Sequence, residues 1–564
     1  MGKIPKTYWK LIAFPTFFFA STGLLHANEP PLIIEAPFQD VPEVQEHITD
    51  LPELSTPNDS ISTESSNLIN DIEIQGGTVF SLEQLSVWIQ PIIGKPAKRE
   101  LLVEMINDIT TAYAEAGYPL SYASIPSGQD VSSGKITLRL IEGYLARSEV
   151  EVDGEHIEKR IARYVDQMMQ ERPLTQETFE RYAALIESTP GYKFRINVPR
   201  PMSASGATTI RVEQVKKEFI KPGLAIDKSE SDSSRVLGSV SLNSMTSYGD
   251  QLTLSGILPN DEIDEFYSAN YSQFINDDGL KIALSASHYE SDNGDRFFVA
   301  DVPIDYEENK VRDEYTAGLY YPLQLGQALS WWIGSNINHV DEQSLFELHT
   351  SNASSQINKD LTYSAVEAFT SLQFNTEKSV SRAKFAVKKG VDLGGNQNQL
   401  KVSTSTTSGA EDLHFTYLTT ELFWRSRLTV NWQIQTRIHG QWSDDILPSA
   451  EQARYGNVLY ARGYPEGQAQ GDRGYAGEVK LRYIQPIDTT FIKQVEPYVI
   501  FDGARSHLIS SDSSSTLSSA SLGVAFTDNR YYGLSMEYSI PTGDSPIDSD
   551  SRSGIFNLRV RWQL

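Results

Sequence analysis

Residues 428–439 have the sequence LTVNWQIQTRIH, in which apolar and polar side chains alternate almost without interruption. In a β-strand successive side chains point to opposite faces, so this segment would carry one apolar and one polar face. The apolar face consists of Leu428, Val430, Trp432, Ile434 and Ile438, and the polar face of Thr429, Asn431, Gln433, Gln435, Arg437 and His439. The pattern predicts a strand that separates two different environments.

The same alternation continues on both sides of this segment and extends to the end of the sequence. The last strand alternates Phe556, Leu558, Val560, Trp562 and Leu564 with Asn557, Arg559, Arg561 and Gln563. Sixteen strands are predicted, beginning near residues 218, 235, 250, 264, 279, 311, 328, 360, 378, 411, 427, 473, 491, 515, 530 and 553. An even number is typical of bacterial single-chain barrels. The prediction for residues 215–564 is therefore an all-β transmembrane barrel of sixteen antiparallel strands.

A soluble β-sandwich also alternates, because its apolar face forms a core and its polar face is solvated. Strands of about 10 to 14 residues, suited to a tilted membrane crossing, favour the barrel. The connections also alternate in length. Short ones are predicted near 276, 325, 376, 425, 488 and 528, and long ones at 291–310, 341–359, 392–410, 441–472, 504–514 and 542–552. Short periplasmic turns and long outer loops are expected of an outer-membrane barrel.

The connection at 441–472 is too long for an ordinary hairpin. It contains ARGYPEG at 461–467 and GDRG at 471–474. We expect it to fold back into the lumen, where the guanidinium of Arg462 would need a carboxylate partner. Asp502 is the candidate, because its strand would place Phe501 toward lipid and Asp502 toward the lumen. The alternative is an exposed loop arginine and a solvated aspartate.

The N-terminal residues 1–27 are predicted to be a signal peptide. Lys3, Lys6 and Lys10 precede an apolar stretch at 11–20, and Ala27 offers a small residue for cleavage before Asn28. A buried first helix is the alternative. Residues 28–68 carry nine acidic residues and no Lys or Arg, which predicts an acidic linker. Part of it, around 41–51, is compatible with a short helix that plugs the pore.

Residues 69–144 and 145–214 share one predicted plan, β-α-α-β-β, and so form an internal repeat. In the first copy, apolar residues at helical spacing between 101 and 113 predict a helix that ends at Gly117, two residues before Pro119. In the second copy, Thr175 is predicted to cap the second helix. Two small α+β domains are therefore expected before the barrel.

Here the sequence resembles a known family. The pattern Tyr113-x-x-x-Gly117-Tyr118, then Ile125-Pro126, Gln129-Asp130, Gly134-Lys135-Ile136 and Ile141-Glu142-Gly143, resembles the POTRA domain of two-partner secretion transporters. These are the haemolysin-activator-type members of the Omp85 superfamily. Arg462-Gly463-Tyr464 resembles the V/I-R-G-F/Y motif of that superfamily's sixth extracellular loop, and Gly471-Asp472-x-Gly474 resembles its continuation. Position 461 is Ala, where the family has Val or Ile.

The resemblance spans residues 69 to 564 and implies two periplasmic POTRA domains and an outer-membrane pore. The implied function is export of a large TpsA-like partner exoprotein, an adhesin, haemolysin or contact-dependent toxin, which the POTRA domains bind unfolded. Outer-membrane lipid and the barrel-assembly machinery that inserts the pore are the other implied partners. Extended substrate could pair with a POTRA sheet edge by β-augmentation. The sequence does not indicate which edge.

Composition and motifs argue against several other functions. The formal net charge of -26 argues against a nucleic-acid partner, which needs basic patches. Glycine loops of nucleotide sites and motifs of hydrolases and metalloproteases are absent, and the nine histidines are scattered, so no enzyme, cofactor or metal site is predicted. Three alternatives remain: an Omp85-type assembly factor, which usually has more POTRA domains, a diffusion porin and a soluble secreted β protein.

Overall fold

The computed structural model describes residues 49–50, 68–126, 129, 133–228, 234–257, 264–299, 302–349, 354–402, 405–457, 459–465, 467–544 and 553–563. The chain forms two compact units, mainly residues 42–217 and mainly residues 218–564. The predicted signal peptide and nearly all of the predicted linker lie outside the described residues. Within the stretch predicted as a plug helix, Thr49–Asp50 is a β-strand (β1) rather than helix.

The first unit begins with an α+β module that has the predicted order of elements. Its elements are β2 (Asp71–Gln75), α1 (Leu82–Ile89), a 3-10 turn (Gln90–Ile92), α2 (Arg99–Glu115), β3 (Tyr122–Ser124) and β4 (Lys135–Ile141). The sheet order is β2-β4-β3, with β2 parallel and β3 antiparallel to β4. Residues Leu102, Met105, Ile106, Ile109 and Tyr113 recur on one face of α2 and pack into the core.

Local sequence signals explain where the helices of this module begin and end. Ser81 and Gln84 form a capping box at the start of α1. After α2, Gly117 has φ +85°, the left-handed conformation that a glycine adopts without steric cost.

A second module in the same unit repeats this plan. Its elements are β5 (Tyr144–Glu151), α3 (Glu155–Gln170), α4 (Gln176–Glu187), β6 (Tyr192–Asn197) and β7 (Ala207–Lys217). The sheet order is β1-β6-β7-β5. The predicted cap is present, since the Thr175 side chain accepts a hydrogen bond from the backbone N–H of Thr178 (3.2 Å).

The two modules are joined by direct hydrogen bonds. The backbone N–H of Leu174 donates to Gly143 O (2.9 Å), and that of Gln176 at the start of α4 donates to Gly117 O (2.7 Å). The Tyr122 hydroxyl on edge strand β3 donates to Pro201 O (2.8 Å). The second module therefore contacts the β3 side of the first.

The second unit is a closed antiparallel β-barrel, as the sequence predicts. Its first strands are β8 (Ile220–Lys228), β9 (Ser234–Asn243), β10 (Gln251–Ile257), β11 (Asp264–Phe274), β12 (Lys281–Val299), β13 (Val302–Leu325), β14 (Leu329–His349), β15 (Ser354–Asn375) and β16 (Ser379–Val391). A side hairpin, β17 (Gln397–Val402) and β18 (Ser405–Ser408), precedes β19 (Thr416–Arg427) and β20 (Trp432–Ser443).

A further hairpin, β21 (Ala453–Tyr455) and β22 (Ala469–Gly471), belongs to the following loop. The remaining strands are β23 (Arg473–Tyr483), the short β24 (Gln485–Pro486), β25 (Gln494–Leu508), β26 (Ser513–Thr527), β27 (Tyr532–Pro541) and β28 (Ile555–Gln563). Strand β28 pairs with β8, from Leu558↔Lys228 to Gln563↔Gly223, and closes the ring. Within the described residues the ring has sixteen strands, which confirms the predicted number.

Several predicted boundaries are wrong. The loops expected at 291–310 and 341–359 are mostly strand, because pairing continues to Val299↔Val302 and His349↔Ser354. The segments expected to be loops at 392–410 and 504–514 also consist mostly of strand residues. The strand predicted to begin near 427 begins at Trp432, since the N–H groups of Leu428 and Thr429 both donate to Trp432 O in a turn.

The two faces of the barrel wall differ as the alternation predicts. On β25 the outward Phe501 is 64% exposed, whereas the inward Asp502 is 7% exposed. Outward positions elsewhere carry large apolar side chains such as Tyr475 and Leu522, and buried inward positions carry polar ones such as Glu478. This is the distribution of a barrel with lipid outside and a polar interior. Among the described helices, none has both the length and the apolar character that a membrane crossing requires.

Candidate functional site: a loop bound to the inner wall of the barrel

The long connection between β20 and β23 is bound to inward-facing side chains of the wall. It contains a 3-10 turn (Ser449–Glu451) followed by the β21–β22 hairpin, with the ARGY motif between those two strands. Ala461, Arg462 and Tyr464 are all buried, Arg462 being only 4% exposed. The motif is therefore not an exposed surface loop.

Arg462 contacts three carboxylates, and Glu478 on β23 is the nearest. The Nε of Arg462 donates to Glu478 Oε2 (3.1 Å), and its Nη2 contacts the same oxygen. Asp502 Oδ2 on β25 is 3.5 Å from Nε, and Glu537 Oε1 on β27 is 3.5 Å from Nη1. The structure thus brings Arg462 and the predicted partner Asp502 together, but as one pair in a larger network.

The wall holds these carboxylates with its own hydrogen bonds. Asp502 accepts from the Ser519 hydroxyl and from the backbone N–H of Arg462 (3.3 Å for the latter). Glu537 accepts from the Tyr498 hydroxyl (3.0 Å) and from the Ser539 hydroxyl (3.2 Å). Glu478 and Asp502 are directly opposite each other in the β23–β25 register. Because carboxylates directly opposite each other on paired strands repel, the guanidinium that contacts both offsets this repulsion.

Backbone geometry sets the position of the arginine. Tyr460 and Ala461, just before it, have φ +56° and +57°, in the left-handed region that non-glycine residues rarely adopt. A Cβ on Gly463, just after it, would lie 2.6 Å from Ile540 C and from Pro541 N. The motif backbone therefore rests directly on β27, where no side chain at position 463 would fit.

The other motif residues also join the loop to the wall. The Tyr464 hydroxyl donates to Asp544 O (2.8 Å). A Cβ on Gly471 would lie 2.5 Å from His507 O, so this position too is a close backbone contact. Asp472 is fully buried and accepts from the N–H groups of Leu447 (2.8 Å) and Ile509 (2.8 Å). Asp472 thereby fixes the base of the loop to the end of β25.

The sequence analysis did not identify Glu451, which attaches the first half of the loop to another part of the wall. Lys388 Nζ on β16 lies 2.7 and 2.8 Å from its two carboxylate oxygens. The hydroxyls of Tyr363 on β15 (2.9 Å) and Tyr417 on β19 (2.6 Å) also donate to it. Glu478 and Glu537 were missed as well. The alternation indicates that Glu478 faces inward, but no sequence signal indicates which inward residues a loop reaches.

In the first α+β module, the predicted motif residues serve the internal structure. Glu142 accepts from the N–H of Thr78 (2.6 Å), its hydroxyl (2.7 Å), the N–H of Val79 (2.8 Å) and the Tyr113 hydroxyl (3.1 Å). Partial burial raises the pKa of Glu142, but these hydrogen bonds outweigh it and hold the pKa below its ordinary value. Burial and the Glu142 charge raise the pKa of Tyr113, which keeps its proton for this bond.

The remaining motif residues of this module shape its turns and its contact with the second module. Gln129 exchanges hydrogen bonds with the Thr137 backbone (2.8 and 3.4 Å), and Tyr118 packs against the core. Gly143 has no room for a side chain, since a Cβ there would lie 2.4 Å from Leu120 Cβ. Pro126 is half-buried, and Asp130 lies outside the described residues.

One group of potential metal ligands occurs in the described part of the barrel. Ligand atoms of Glu307 on β13 and of Glu347 and His349 on β14 lie within 4.8 Å of one another. The group is partly exposed, and its members have other contacts, since Gln356 donates to Glu347 (2.6 Å) and His349 lies 3.4 Å from Glu347. This pattern is common among exposed polar side chains, and it assigns no cofactor to the protein.

Solved structures of similar fold include proteins from two organisms. CdiB from Escherichia coli aligns with a TM-score of 0.67 and 16% identity, over 91% of this chain and 93% of that chain. CdiB from Acinetobacter baumannii aligns with a TM-score of 0.58 and 14% identity, over 91% and 93%. The fold is therefore that of an outer-membrane-type barrel preceded by POTRA-type structure.

Comparison with known families matches two stretches of the chain. Residues 68–143 match the POTRA domain of ShlB type, and residues 348–526 match the haemolysin secretion/activation protein ShlB/FhaC/HecB. Both stretches thus match secretion proteins of the ShlB/FhaC/HecB type, the two-partner secretion transporters that the sequence motifs indicate. A comparison with curated proteins finds no sequence match.

The two matches indicate the class of function. Members of this family are outer-membrane transporters of partner proteins rather than enzymes, with the POTRA domain in the periplasm. An assembly factor of the same superfamily is less well supported, because both family matches are to secretion proteins.

Proposed function

We propose that this transporter binds one unfolded TpsA-like exoprotein in the periplasm and passes it through the barrel, with the loop at 441–472 acting as a gate. The proposal of a gate rests on the contacts of Arg462 with Glu478, Asp502 and Glu537. A buried loop arginine contacts inward carboxylates on three strands, at 3.1 Å for Glu478 and 3.5 Å for Asp502 and Glu537. A loop so attached inside the barrel has to move for a polypeptide to pass.

The second α+β module, residues 145–214, is the second POTRA domain in this proposal. It has the same order of elements as the matched first domain, and its α4 begins at a hydrogen bond to Gly117 of that domain (2.7 Å). The exported substrate would be an adhesin, haemolysin or contact-dependent toxin, as the family resemblance implies. Residues 1–27 would act as the signal peptide, and the barrel-assembly machinery would insert the barrel into lipid.

The sheet edges restrict where an extended substrate could add a strand. In the described structure, β6 has its free side paired with β1, and β3 contacts the second module through Tyr122. Besides the two-residue strand β1, edges β2 and β5 remain. We favour β2, because the same domain exposes apolar side chains on α1, Leu82 at 74% and Val87 at 68%. An extended segment pairs with a sheet edge through its backbone, and exposed apolar side chains on the same domain offer an unfolded segment further contacts.

Deleting residues 69–144 tests the role of the first domain. Export of the partner exoprotein should stop, while the barrel remains inserted and heat-modifiable on gels. Normal export without these residues would place substrate capture elsewhere.

A paired substitution tests the apolar surface more finely. Leu82→Ser with Val87→Ser should reduce export, because it removes the exposed apolar surface that the substrate is proposed to contact. Both positions are exposed, so the domain core should stay intact. Met202→Ser is the matched control, an exposed apolar residue (91%) in the second module. Equal effects of the two substitutions would contradict a specific role for α1.

A further inference from the structure

We propose that Glu451 is a positioning residue that forms a second, independent attachment of the gate loop. The Glu451 latch consists of Glu451 with Lys388, Tyr363 and Tyr417. The Arg462 latch consists of Arg462 with Glu478, Asp502 and Glu537. The inference rests on the proposed role of this loop as a gate, and it concerns how the loop is held.

The donors around Glu451 fix its carboxylate from several directions. Both of its oxygens contact Lys388 Nζ (2.7 and 2.8 Å), and each also accepts from a tyrosine hydroxyl. The Glu451 side chain is 0% exposed and that of Lys388 is 4% exposed. A buried charge is tolerated only when it is paired and hydrogen-bonded, so the site has the composition of a specific attachment.

Apolar packing and neighbouring hydrogen bonds reinforce this attachment. The loop residues Leu447 and Ala450 are buried with wall residues Val340, Leu361, Tyr363, Ala365, Phe415 and Tyr417. The Ser449 hydroxyl donates to Glu342 Oε1 on β14 (3.1 Å), and Glu342 is itself paired with Arg312. Gln441 Nε2 on β20 donates to the backbone oxygen of Glu451 (2.8 Å). Backbone and side chains of the turn are thus both bound.

The two latches use different parts of the wall. The Glu451 latch contacts β15, β16 and β19, which precede the loop in the ring, whereas the Arg462 latch contacts β23, β25 and β27, which follow it. The latches share no residue, and the β21 strand lies between them in the chain. Release of Arg462 would therefore leave the first half of the loop attached at Glu451.

The natural absence of cysteine allows each half of the loop to be followed separately. Ala450→Cys places a first reporter thiol beside Glu451, and Ala461→Cys places a second reporter thiol beside Arg462. Both alanines are buried, at 3% and 0% exposure, so a maleimide should react only when that half of the loop leaves the wall. The labelling rate is measured on the purified full-length protein in detergent and needs no partner exoprotein.

Breaking the Glu451 latch should accelerate labelling of the first reporter only. Glu451→Gln, which keeps the side-chain shape, and Lys388→Met should each raise the labelling rate at position 450 at least about tenfold, because a buried charge loses its partner. The labelling rate at position 461 should change less than about twofold, and Arg462→Ala should give the reverse pattern. Combining Lys388→Met with Glu451→Gln should add little to the faster single variant, as expected for one shared contact.

A buried ion pair within the wall provides the matched control. Arg482 and Glu496 lie 3.0 Å apart on β23 and β25, with side chains 4% and 2% exposed. Arg482→Met and Glu496→Gln should leave both labelling rates unchanged. Heat-modifiable migration shows that each variant keeps a folded barrel, and Glu451→Gln remains informative if Lys388→Met does not fold.

Two results would overturn the inference. The first is an unchanged labelling rate at position 450 in both latch variants, and the second is an equal rise at both reporters, which would mean that the loop is released as one unit. Secretion is measured in parallel on variants without reporters. Normal secretion by a variant with faster labelling at position 450 would support the latch and contradict the gate function proposed above.

Discussion

Replacing Arg462 by alanine should free the motif half of the loop from the wall. The substitution leaves Glu478, at 0% side-chain exposure, without the guanidinium that contacts it. Breaking a buried ion pair by removing one partner costs about 3–5 kcal/mol. Asp502 and Glu537 keep their bonds from Ser519 and Tyr498, so their contribution to the loss should be smaller.

The distances predict an order among the carboxylate variants. Glu478→Gln removes the nearest charge, which accepts from Nε at 3.1 Å and also contacts Nη2, and should cost about 1.5–3 kcal/mol. Asp502→Asn removes a charge 3.5 Å away but can keep the bond from the Arg462 backbone N–H, and should cost about 1 kcal/mol, the net contribution of one ordinary hydrogen bond. The double variant Arg462→Ala with Glu478→Gln should be less severe than the sum of the singles.

The labelling rate of the Ala461→Cys reporter converts these energies into measurable factors, since 1.36 kcal/mol is about tenfold. Arg462→Ala should accelerate labelling about 100-fold or more, Glu478→Gln about 10- to 100-fold and Asp502→Asn about fivefold. Arg482→Ala, which removes a buried wall arginine paired with Glu496, is the control and should have no effect.

Export of the partner exoprotein should follow the same order if the loop is the gate. The reasoning fails if Asp502→Asn reduces export as much as Arg462→Ala while Glu478→Gln leaves export unchanged. It also fails if the losses in the double variant are additive, because Arg462 and Glu478 would then act independently.

Three further predictions concern other parts of the chain. Gly463→Ala should accelerate labelling of the Ala461→Cys reporter as strongly as Arg462→Ala, because the new Cβ would lie 2.6 Å from the β27 backbone. Gly467→Ala is the control: its Cβ would lie in open space, and the φ of +68° should cost only about 1 kcal/mol of backbone strain. Protection of residues 69–144 from limited proteolysis should fall as pH drops through the lowered pKa of Glu142. A carboxyl whose pKa is lowered by folding stabilises the folded domain above its ordinary pKa, and this stabilisation is lost when the carboxyl is protonated. Glu142→Gln should abolish the pH dependence. The mature chain should begin at Asn28 and be heat-modifiable, and N-terminal sequencing with unheated gels would expose a retained leader or a soluble protein.

The strands of the barrel could be predicted because each one separates lipid from a polar interior. On β25, Phe501 and Asp502 are adjacent in sequence and lie on opposite faces, as the alternation requires. The rule fails toward the ends of the longest strands. Residues 307–310 and 341–349 lack regular alternation, yet their backbones remain paired in long hairpins. Backbone pairing does not depend on side-chain polarity, so the sequence pattern could not show it.

The loop contacts could be predicted only in part, for a related reason. The pattern identifies inward carboxylates, but Glu478 and Asp502 are opposite each other on neighbouring strands, and both face inward. Which of them lies closer to Arg462 depends on where the loop tip rests on β27, and that is decided by the contact of Gly463 with Ile540. Glu451 could not be found at all, because its partners Lys388 and Tyr363 are remote from it in sequence and come together through pairing of the neighbouring strands β15 and β16.

The close contact at Gly463 also explains why arginine, glycine and tyrosine occur together in this loop. A long arginine side chain loses about 2 kcal/mol of rotamer freedom when it is fixed, which reduces the net value of any ion pair. Here Gly463 against the β27 backbone and the Tyr464 bond to Asp544 place the main chain next to the carboxylates before the guanidinium engages. The entropic cost of ordering the loop is then divided among all three residues, and the ion pair stabilises a position that the backbone contacts already define.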